Sequence, residues 1–376
     1  MSIANKISAE LKGDRAIWMV VFLLSIVSVL AVYSATGTLA WKSKNGDTTL
    51  FLLTHIVRLG FGLGLVYMAH LMHYQRYNKM APFLLIISVI LLILTLLFGV
   101  RLNEASRWLS FGGISFQPSE LAKIVLIIYV ARELTRKQEY INSWKDAFVP
   151  IILPVLAVCG LIAPANLSTA MVLFATSIAL MFIGRVSPRY IFLLVLLGVV
   201  VFAGLIAVGE FFPGLVRVET WVSRVKDYIY NEDGGYQVQQ AKIAIANGGV
   251  FGVGPGNSIS RNFLPYVYAD FIYPLICEEY GLIGGIFIIA LYTLLFFRTV
   301  ALVTKSPKAF GAFLAIGLSL SLTIQALANM AVSVHLVPAT GLTLPMISMG
   351  GTSIIFTSIA LGIILSVSKY IETYDQ

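Results

Sequence analysis

The acid whose position most invites a chemical explanation is Asp270. It closes a long connection and opens an apolar run in YADFIYPLICEEYG, so a carboxylate is held at the edge of an apolar phase. Two roles suit it: N-cap of the helix that follows, or general base for a hydroxyl nucleophile. A helix start favours its anion, whereas Phe271, Ile272 and Tyr273 oppose it by desolvation. Glu120 and Lys123 stand three residues apart in an apolar run. That spacing puts them on one helix face, as a neutralised structural pair or as the lining of a polar cavity. Arg107 precedes Trp108, a pairing that serves as an interfacial anchor or as a phosphate ligand.

These groups need elements to carry them, and composition decides which solvent those elements meet. Of 376 residues, 12% are charged and 58% hydrophobic, with a mean hydropathy of +0.88. That is too much apolar surface for one aqueous core, so lipid is the solvent. The net charge is +8, but the basic residues are scattered through short connections. Such scatter orients a membrane protein and excludes nucleic acid as a partner. Cys159 and Cys277 fall inside apolar runs without a CxxC or Cys/His ligand pattern, which excludes redox and zinc chemistry.

The expected architecture is an all-α polytopic membrane protein, a single integral membrane domain over residues 1–376. Apolar runs at 17–36, 51–71, 82–100, 118–134, 149–164, 167–184, 189–210, 271–298, 310–336 and 353–370 predict about ten transmembrane helices, at about 20 residues each. Both termini then share one side. Lys6, Lys12, Arg15, Arg76, Lys79, Arg132, Arg136, Lys137, Lys145, Arg185, Arg189, Arg298, Lys305, Lys308 and Lys369 lie on that side, against Lys42, Lys44, Arg101 and Arg107 in the short loops opposite. The shared side is therefore cytoplasmic.

One large extracytoplasmic loop, 211–269, separates the seventh and eighth runs. Within it Gln237 to Asn247 has helical apolar spacing and ends in Gly248 and Gly249, predicting a short interfacial helix. GVFGVGPGNS follows, either a turn-rich crossing or a backbone-led ligand site. It lacks the sequence context of a P-loop or a dinucleotide fingerprint. The last outer loop, VPATGLTLPMISMGGTS, is uncharged and broken by Pro and Gly. It is expected to dip between helices with its backbone satisfied internally. Glu278 and Glu279 lie about two turns inside the eighth run, where at least one must face the interior.

ASRWLSFGGISFQPSELAK, GPGNSISRNFLPYVYADFIYPLICEEYG and PATGLTLPMISMGGTS, in that order across nearly the whole chain, resemble the SEDS family of polytopic peptidoglycan glycosyltransferases. GLTLP and the GNS to LPYVYADFIY stretch are more similar to the division branch than to the elongation branch. Met349, Thr352 and His335 depart from the family pattern, where Tyr, Ser and Gly are common.

The resemblance implies polymerisation of lipid II, a disaccharide-peptide on polyprenyl pyrophosphate, at the outer face of the cytoplasmic membrane, and septal cell-wall synthesis in particular. It implies Asp270 as base for the acceptor hydroxyl, in a single inverting displacement with pyrophosphate leaving. Arg107, Lys123, Lys242 and Arg261 are the candidate pyrophosphate ligands, Arg107 and Lys123 foremost, with Glu120 holding Lys123. Gly254, Gly256 and Asn257 would shape the sugar site, and Ser348 would offer it a hydroxyl. A divalent cation, magnesium or manganese, fits that leaving group. No protein metal ligands and no organic cofactor are expected. The implied partners are a class B penicillin-binding protein, an FtsI-like transpeptidase, and other divisome proteins. A RodA-like elongation polymerase, a lipid II flippase or transporter and a non-catalytic scaffold are the competing readings.

Overall fold

The computed structural model describes residues 12–37, 48–102, 105–111, 114–141, 143–211, 216–231, 234–306 and 308–374. Lys6, Lys42 and Lys44 of the charge asymmetry lie outside them. Each predicted apolar run is occupied by a helix: α1 Arg15–Ala35, α2 Thr49–Leu71, α3 Gln75–Phe98, α4 Pro118–Arg136, α5 Val149–Ile162, α6 Leu167–Ile183 and α7 Pro188–Phe211. After the large loop, with its own α8 Val218–Tyr230 and α9 Tyr236–Gly248, come α10 Ile272–Val303, α11 Ala309–Ser333 and α12 Gly351–Tyr374. Among the described residues, seven helices are long and apolar enough to cross a membrane, α1, α2, α3, α7, α10, α11 and α12. Helices α5 and α6 are shorter apolar helices, and α4 carries Glu120, Lys123, Arg132 and Glu133 within its span.

The core lies where α4, α11 and α12 meet, and most of α11 and α12 is buried. Side chains such as Leu126, Leu314, Ala326, Ile363 and Leu365 exclude all solvent there. Helix α7, with only Leu194 and Gly209 buried, shows its apolar surface outward on nearly every side, as a lipid-facing helix does. At the shared-termini end, Asp14 caps α1 through Ala16 N–H at 2.8 Å and Ile17 N–H at 3.1 Å, and it pairs with Arg298 of α10.

By the spacing of the apolar runs, residues 101–117 are a short loop between the third and the fourth. The structure instead has a three-stranded antiparallel sheet there, β1 Val100–Leu102, β2 Ala105–Phe111 and β3 Ile114–Phe116, in the order β1-β2-β3. Leu109 pairs with Phe116 and Ser110 with Ser115. Strand alternation sends Arg107 and Leu109 to one face and Trp108 to the other. The large loop likewise contains a second helix, α8, beside the expected short helix α9, whose Val238, Ala241 and Ala244 are buried.

Helix α10 is broken at Gly281, where φ is 68° and ψ −167°. A break at membrane depth frees backbone groups that lipid cannot satisfy. The glycine-rich stretch fills that need: Val253 N–H donates to the Glu278 carbonyl at 2.9 Å, Gly254 N–H to that of Glu279 at 3.0 Å, and Leu282 N–H to that of Gly249 at 2.9 Å. Contact is so close that a Cβ on Gly281 would lie 2.2 Å from the Val250 oxygen, and one on Gly252 2.2 Å from that of Glu279. Glu278 and Glu279 are both buried. Glu278 accepts hydrogen bonds from Ser260 Oγ at 3.0 Å, from the Ile259 and Ser260 amides at 3.3 Å and from Ser258, while Glu279 accepts one from Ser34.

Gly281→Ala is therefore expected to collapse the yield of folded protein in detergent. Gly60→Ala, on α2 with nothing within 4 Å of the new Cβ, should leave the thermal midpoint unchanged or raise stability by up to about 1 kcal/mol, the helix-propensity gain. Equal behaviour of the two variants in thermal unfolding would contradict the role given to the break.

Candidate active site

Asp270 does not cap α10. The N-cap is Phe271, without a side-chain cap bond, and the Asp270 carboxylate accepts no hydrogen bond from any described residue. What is fixed is its backbone. Asn329 Nδ2 of α11 donates to the Asp270 carbonyl at 2.7 Å and to that of Leu342 at 2.6 Å. Ser348 Oγ donates to the Ala269 carbonyl at 2.6 Å, and Met349 N–H to that of Tyr268 at 2.8 Å. The Asp270 backbone is thus held at several points while its carboxylate is left unengaged among the described residues, the arrangement a preorganised site requires.

The mount is the uncharged loop 337–350, which runs between helices as its composition predicts. Side chains from across the bundle satisfy its carbonyls. Ser168 Oγ reaches that of Thr340 at 2.9 Å, Gln325 Nε2 that of Thr343 at 2.9 Å, Ser28 Oγ that of Ile347 at 2.9 Å, and Tyr292 OH that of Pro345. Ser348 is committed to this loop, since its Oγ also accepts the Leu344 N–H at 2.8 Å. The loop begins with a Schellman turn at the end of α11: Leu336 N–H bonds to Ala331 O at 2.9 Å and His335 N–H to Val332 O at 3.1 Å. His335 occupies the left-handed position with φ 59°. Glycine is the usual residue in that conformation, which explains why this chain's histidine is a departure there.

Asp270 opens into a cavity of about 220 Å³ whose wall also includes Arg224, Asp227, Tyr228, His335 and Gly341. The His335 ring meets Tyr228 edge-on with centroids 5.1 Å apart. Arg224, on α8, donates from Nη1 to the Thr340 carbonyl at 3.0 Å. Gly341 has φ 70°, and a Cβ there would stand 3.4 Å from Asp270 Oδ2 and 3.7 Å from Arg224 Nη2. The carboxylate and the guanidinium thus flank a gap that the missing side chain leaves open. Strand β2 carries Arg107, held by its Nε–H to the Ala165 carbonyl at 2.7 Å.

Burial pushes the Asp270 carboxyl above the ordinary carboxylate range, against the opposing pull of Arg107 and Arg224. Arg107 is driven down to about 10 by burial and then by the neighbouring Arg217 and Arg224, with Asp270 opposing. Arg224 is lowered by burial and by Arg217. The raised carboxyl is the direction that suits a general base working near neutral pH.

Of the candidate site residues named from the sequence, only Asp270 lines this cavity; Arg107 is near enough to act on it electrostatically but borders a separate small cavity with Thr95, Ser119, Ala165 and Asn166. Glu120 and Lys123 form a separate buried pair, 3.0 Å apart, with Lys123 Nζ also donating to Gln325 Oε1 at 2.8 Å. Gln325 connects this pair to the Asp270 mount through Thr343. Gly254, Gly256, Asn257, Lys242 and Arg261 do not line the Asp270 cavity. Asn257 bonds within its own turn, Nδ2 to Val253 O at 3.1 Å. Gly256 and Arg261 border a second cavity of about 510 Å³ with Tyr33, Ser34 and Thr48. Arg224, on the cavity wall, is the site residue the sequence reading missed. Val218, Trp221, Val222, Val225 and Ile229 repeat with helical period and could have revealed α8. Among the described residues no group of three or more His, Cys, Asp or Glu could hold a metal ion.

The chain matches, over residues 14–373, the family described as cell cycle protein, that of FtsW, RodA and SpoVE. It is 33% identical over 380 residues to the probable peptidoglycan glycosyltransferase FtsW of Geobacter sulfurreducens, covering 99% of each chain. Its fold is similar to that of Thermus thermophilus rod shape determining protein RodA, with a TM-score of 0.68, 25% identity, and coverage of 95% of this chain and 96% of that one. It is also similar to a chain solved in a study of how a peptidoglycan synthase complex coordinates polymerization and crosslinking, with a TM-score of 0.69, 27% identity, and coverage of 95% and 97%.

Asn329→Ala removes two donors and leaves the Asp270 and Leu342 carbonyls unpaired. The expected cost is about 1–3 kcal/mol for each stranded group, seen as a lower thermal midpoint. Ser333→Ala, which removes only an intrahelical bond to Asn329 O at 3.2 Å, should stay within about 0.5 kcal/mol of the native protein.

Proposed function

The chain belongs to the FtsW, RodA and SpoVE family of cell cycle proteins, and from that premise we propose that it is a peptidoglycan glycosyltransferase that polymerises lipid II at the outer face of the cytoplasmic membrane. The single observation that carries this reading is Asp270: a rigidly mounted, unengaged carboxylate at the mouth of the helical bundle, inside a cavity, with guanidinium groups beside it. That pairing of a base with cations is what a hydroxyl attack on a diphosphate-activated sugar needs.

In the proposed step the acceptor is the 4-hydroxyl of the incoming lipid II N-acetylglucosamine. Its oxygen attacks the anomeric carbon of the growing chain as Asp270 takes its proton. The carbon–oxygen bond to the polyprenyl diphosphate breaks, and the diphosphate leaves with the bonding electrons. One displacement inverts the anomeric centre and calls for one base, so no second carboxylate nucleophile is needed. Arg107 stabilises charge as it grows on the leaving group. Lys123, already neutralised by Glu120, positions Gln325 and through it the loop that mounts the base. Among the described residues no three His, Cys, Asp or Glu groups stand together to hold a resident divalent cation, so a magnesium or manganese ion would arrive with the diphosphate.

The FtsW-named relatives and the GLTLP wording support a role in septal synthesis, with cytoplasmic termini. Similarity to a chain studied in a peptidoglycan synthase complex supports a class B penicillin-binding protein as partner, alongside other divisome proteins.

Purified protein reconstituted with its penicillin-binding partner is expected to polymerise labelled lipid II. Asp270→Asn should reduce the rate by roughly 10²–10⁴ while the protein stays folded and partner-bound. The base acts only when ionised, and its carboxyl sits above the usual 3.8. The rate should therefore fall on acidification at a pH above that ordinary value, and this limb should be absent from the residual rate of the Asn variant. Native-level polymerisation by Asp270→Asn would sink the assignment.

A further inference from the structure

Helix α8 meets its surroundings on three sides. Arg224 and Tyr228, one turn apart, face the bundle: Arg224 Nη1 donates to the Thr340 carbonyl at 3.0 Å, Tyr228 OH to that of Leu336 at 3.0 Å, and both side chains line the Asp270 cavity. Those bonds fix the rotation of the helix about its axis. Helical spacing then puts Glu219, Ser223 and Asp227 about 120° from that face in one direction, and Val218, Val222, Val225 and Ile229 about 110° from it in the other. The first set is polar and the three are exposed, as on a face turned to water. The second set is apolar, yet Val222 is 44%, Val225 46% and Ile229 63% exposed, and no residue of α8 is buried. Helix α9, the one expected at the interface, differs, having put Val238, Ala241 and Ala244 into the protein.

Continuity and depth both say what covers this apolar stripe. Trp221, beside it on α8, stacks on Phe202 of α7 with ring centroids 5.6 Å apart and planes at 24°. Helix α7 turns its apolar surface outward on nearly every side, and Phe202, 38% exposed, belongs to that surface. The stripe therefore continues a surface that already faces lipid. The 24 residues of α7 span about 36 Å, a little more than the ~30 Å hydrocarbon core, and Phe202 stands about 14 Å before their outer end. Trp221 is stacked at that height, so α8 runs at the level of the outer acyl chains and not above the headgroups. Lys226 lies between the apolar and polar faces, where its stem covers apolar surface and its ammonium reaches a lipid phosphate.

We propose that α8 is embedded in the outer leaflet, with Val222, Val225 and Ile229 among lipid acyl chains, and that the bilayer thereby holds the part of the Asp270 cavity wall that Arg224 and Tyr228 supply. An amphipathic helix binds an interface in proportion to the apolar area it buries there. The bundle grips α8 along one face, and lipid contact on the next completes its seating. This placement needs only the membrane fold, so it stands whether or not lipid II is the substrate.

The test places a nitrobenzoxadiazole label at Val225→Cys, Ile229→Cys or Ser223→Cys in the full chain, one copy per phosphatidylcholine nanodisc. Cys159 and Cys277 are buried, and the unsubstituted protein serves as the labelling blank. Doxyl groups near the top of the lipid chains are expected to quench the labels at 225 and 229 roughly threefold more than the label at 223. Aqueous iodide should show the opposite order. Equal lipid quenching at all three positions, or ready access of iodide to 225 and 229, overturns the proposal and leaves the stripe to a protein partner. The hold on the cavity wall has its own readout, which needs no turnover. In the same nanodiscs Val225→Asp should speed hydrogen–deuterium exchange of the α8 amides by about 10-fold and leave those of α9 unchanged, while Val225→Leu keeps native exchange. Native exchange in the Asp variant would mean that lipid does not hold α8, and overturns the proposal.

Discussion

Lipid offers no hydrogen bonds, and this chain twice breaks its helical backbone among its membrane-spanning helices. Each break must then be satisfied by protein, and the structure is organised around those two repairs. At Gly281 the carbonyls of Glu278 and Glu279 are taken by the amides of Val253 and Gly254. In the loop 337–350 the carbonyls of Thr340, Leu342, Thr343, Pro345 and Ile347 are taken by side chains of α1, α6, α8, α10 and α11. Helices otherwise held by packing alone are thereby tied together by directional bonds. In hydrocarbon, packing alone has no solvent-driven advantage over lipid contact.

Both repairs converge on the start of α10. Its first turns carry the Glu278 and Glu279 cradle, and the residues just before it, Tyr268 to Asp270, are held by Ser348, Met349 and Asn329. Asp270 sits between a fixed helix and a fixed loop, yet its carboxylate is the group that neither engages. Fixing the backbone while sparing the side chain keeps the carboxylate at a defined height without spending its hydrogen-bonding capacity, which is what catalysis by a positioned base requires.

Compensation distinguishes the buried charges from one another. Glu120 and Lys123 satisfy each other and Gln325, and so act as framework, transmitting position to Thr343. Arg107 and Arg224 are each anchored by a single bond to a carbonyl, which fixes direction. Burial pushes the Asp270 carboxyl up and both guanidiniums down, and the attraction between carboxylate and guanidinium opposes each shift.

The chain's local pattern sets lipid as the solvent and lays out the run of helices, the short helix α9, the internal course of the 337–350 loop, the i,i+3 ion pair and the position of Asp270 at the start of the eighth run. All of these follow from local composition or from spacings within a few residues, which fold locally wherever the chain goes. It left β2 unread, although Phe111 and Ile114 flank a Gly-Gly connection, a hairpin signal, and it passed over the periodicity of α8. Tertiary structure alone decided which residues meet. Arg224 reaches Thr340 from 116 positions away, Asn329 reaches Asp270 across 59, and the glycine-rich stretch, read as a possible sugar site, lies instead against the Gly281 break. Contacts of that separation are set by helix packing and by the demand that every buried carbonyl find a donor, and neither leaves a periodic mark in the chain.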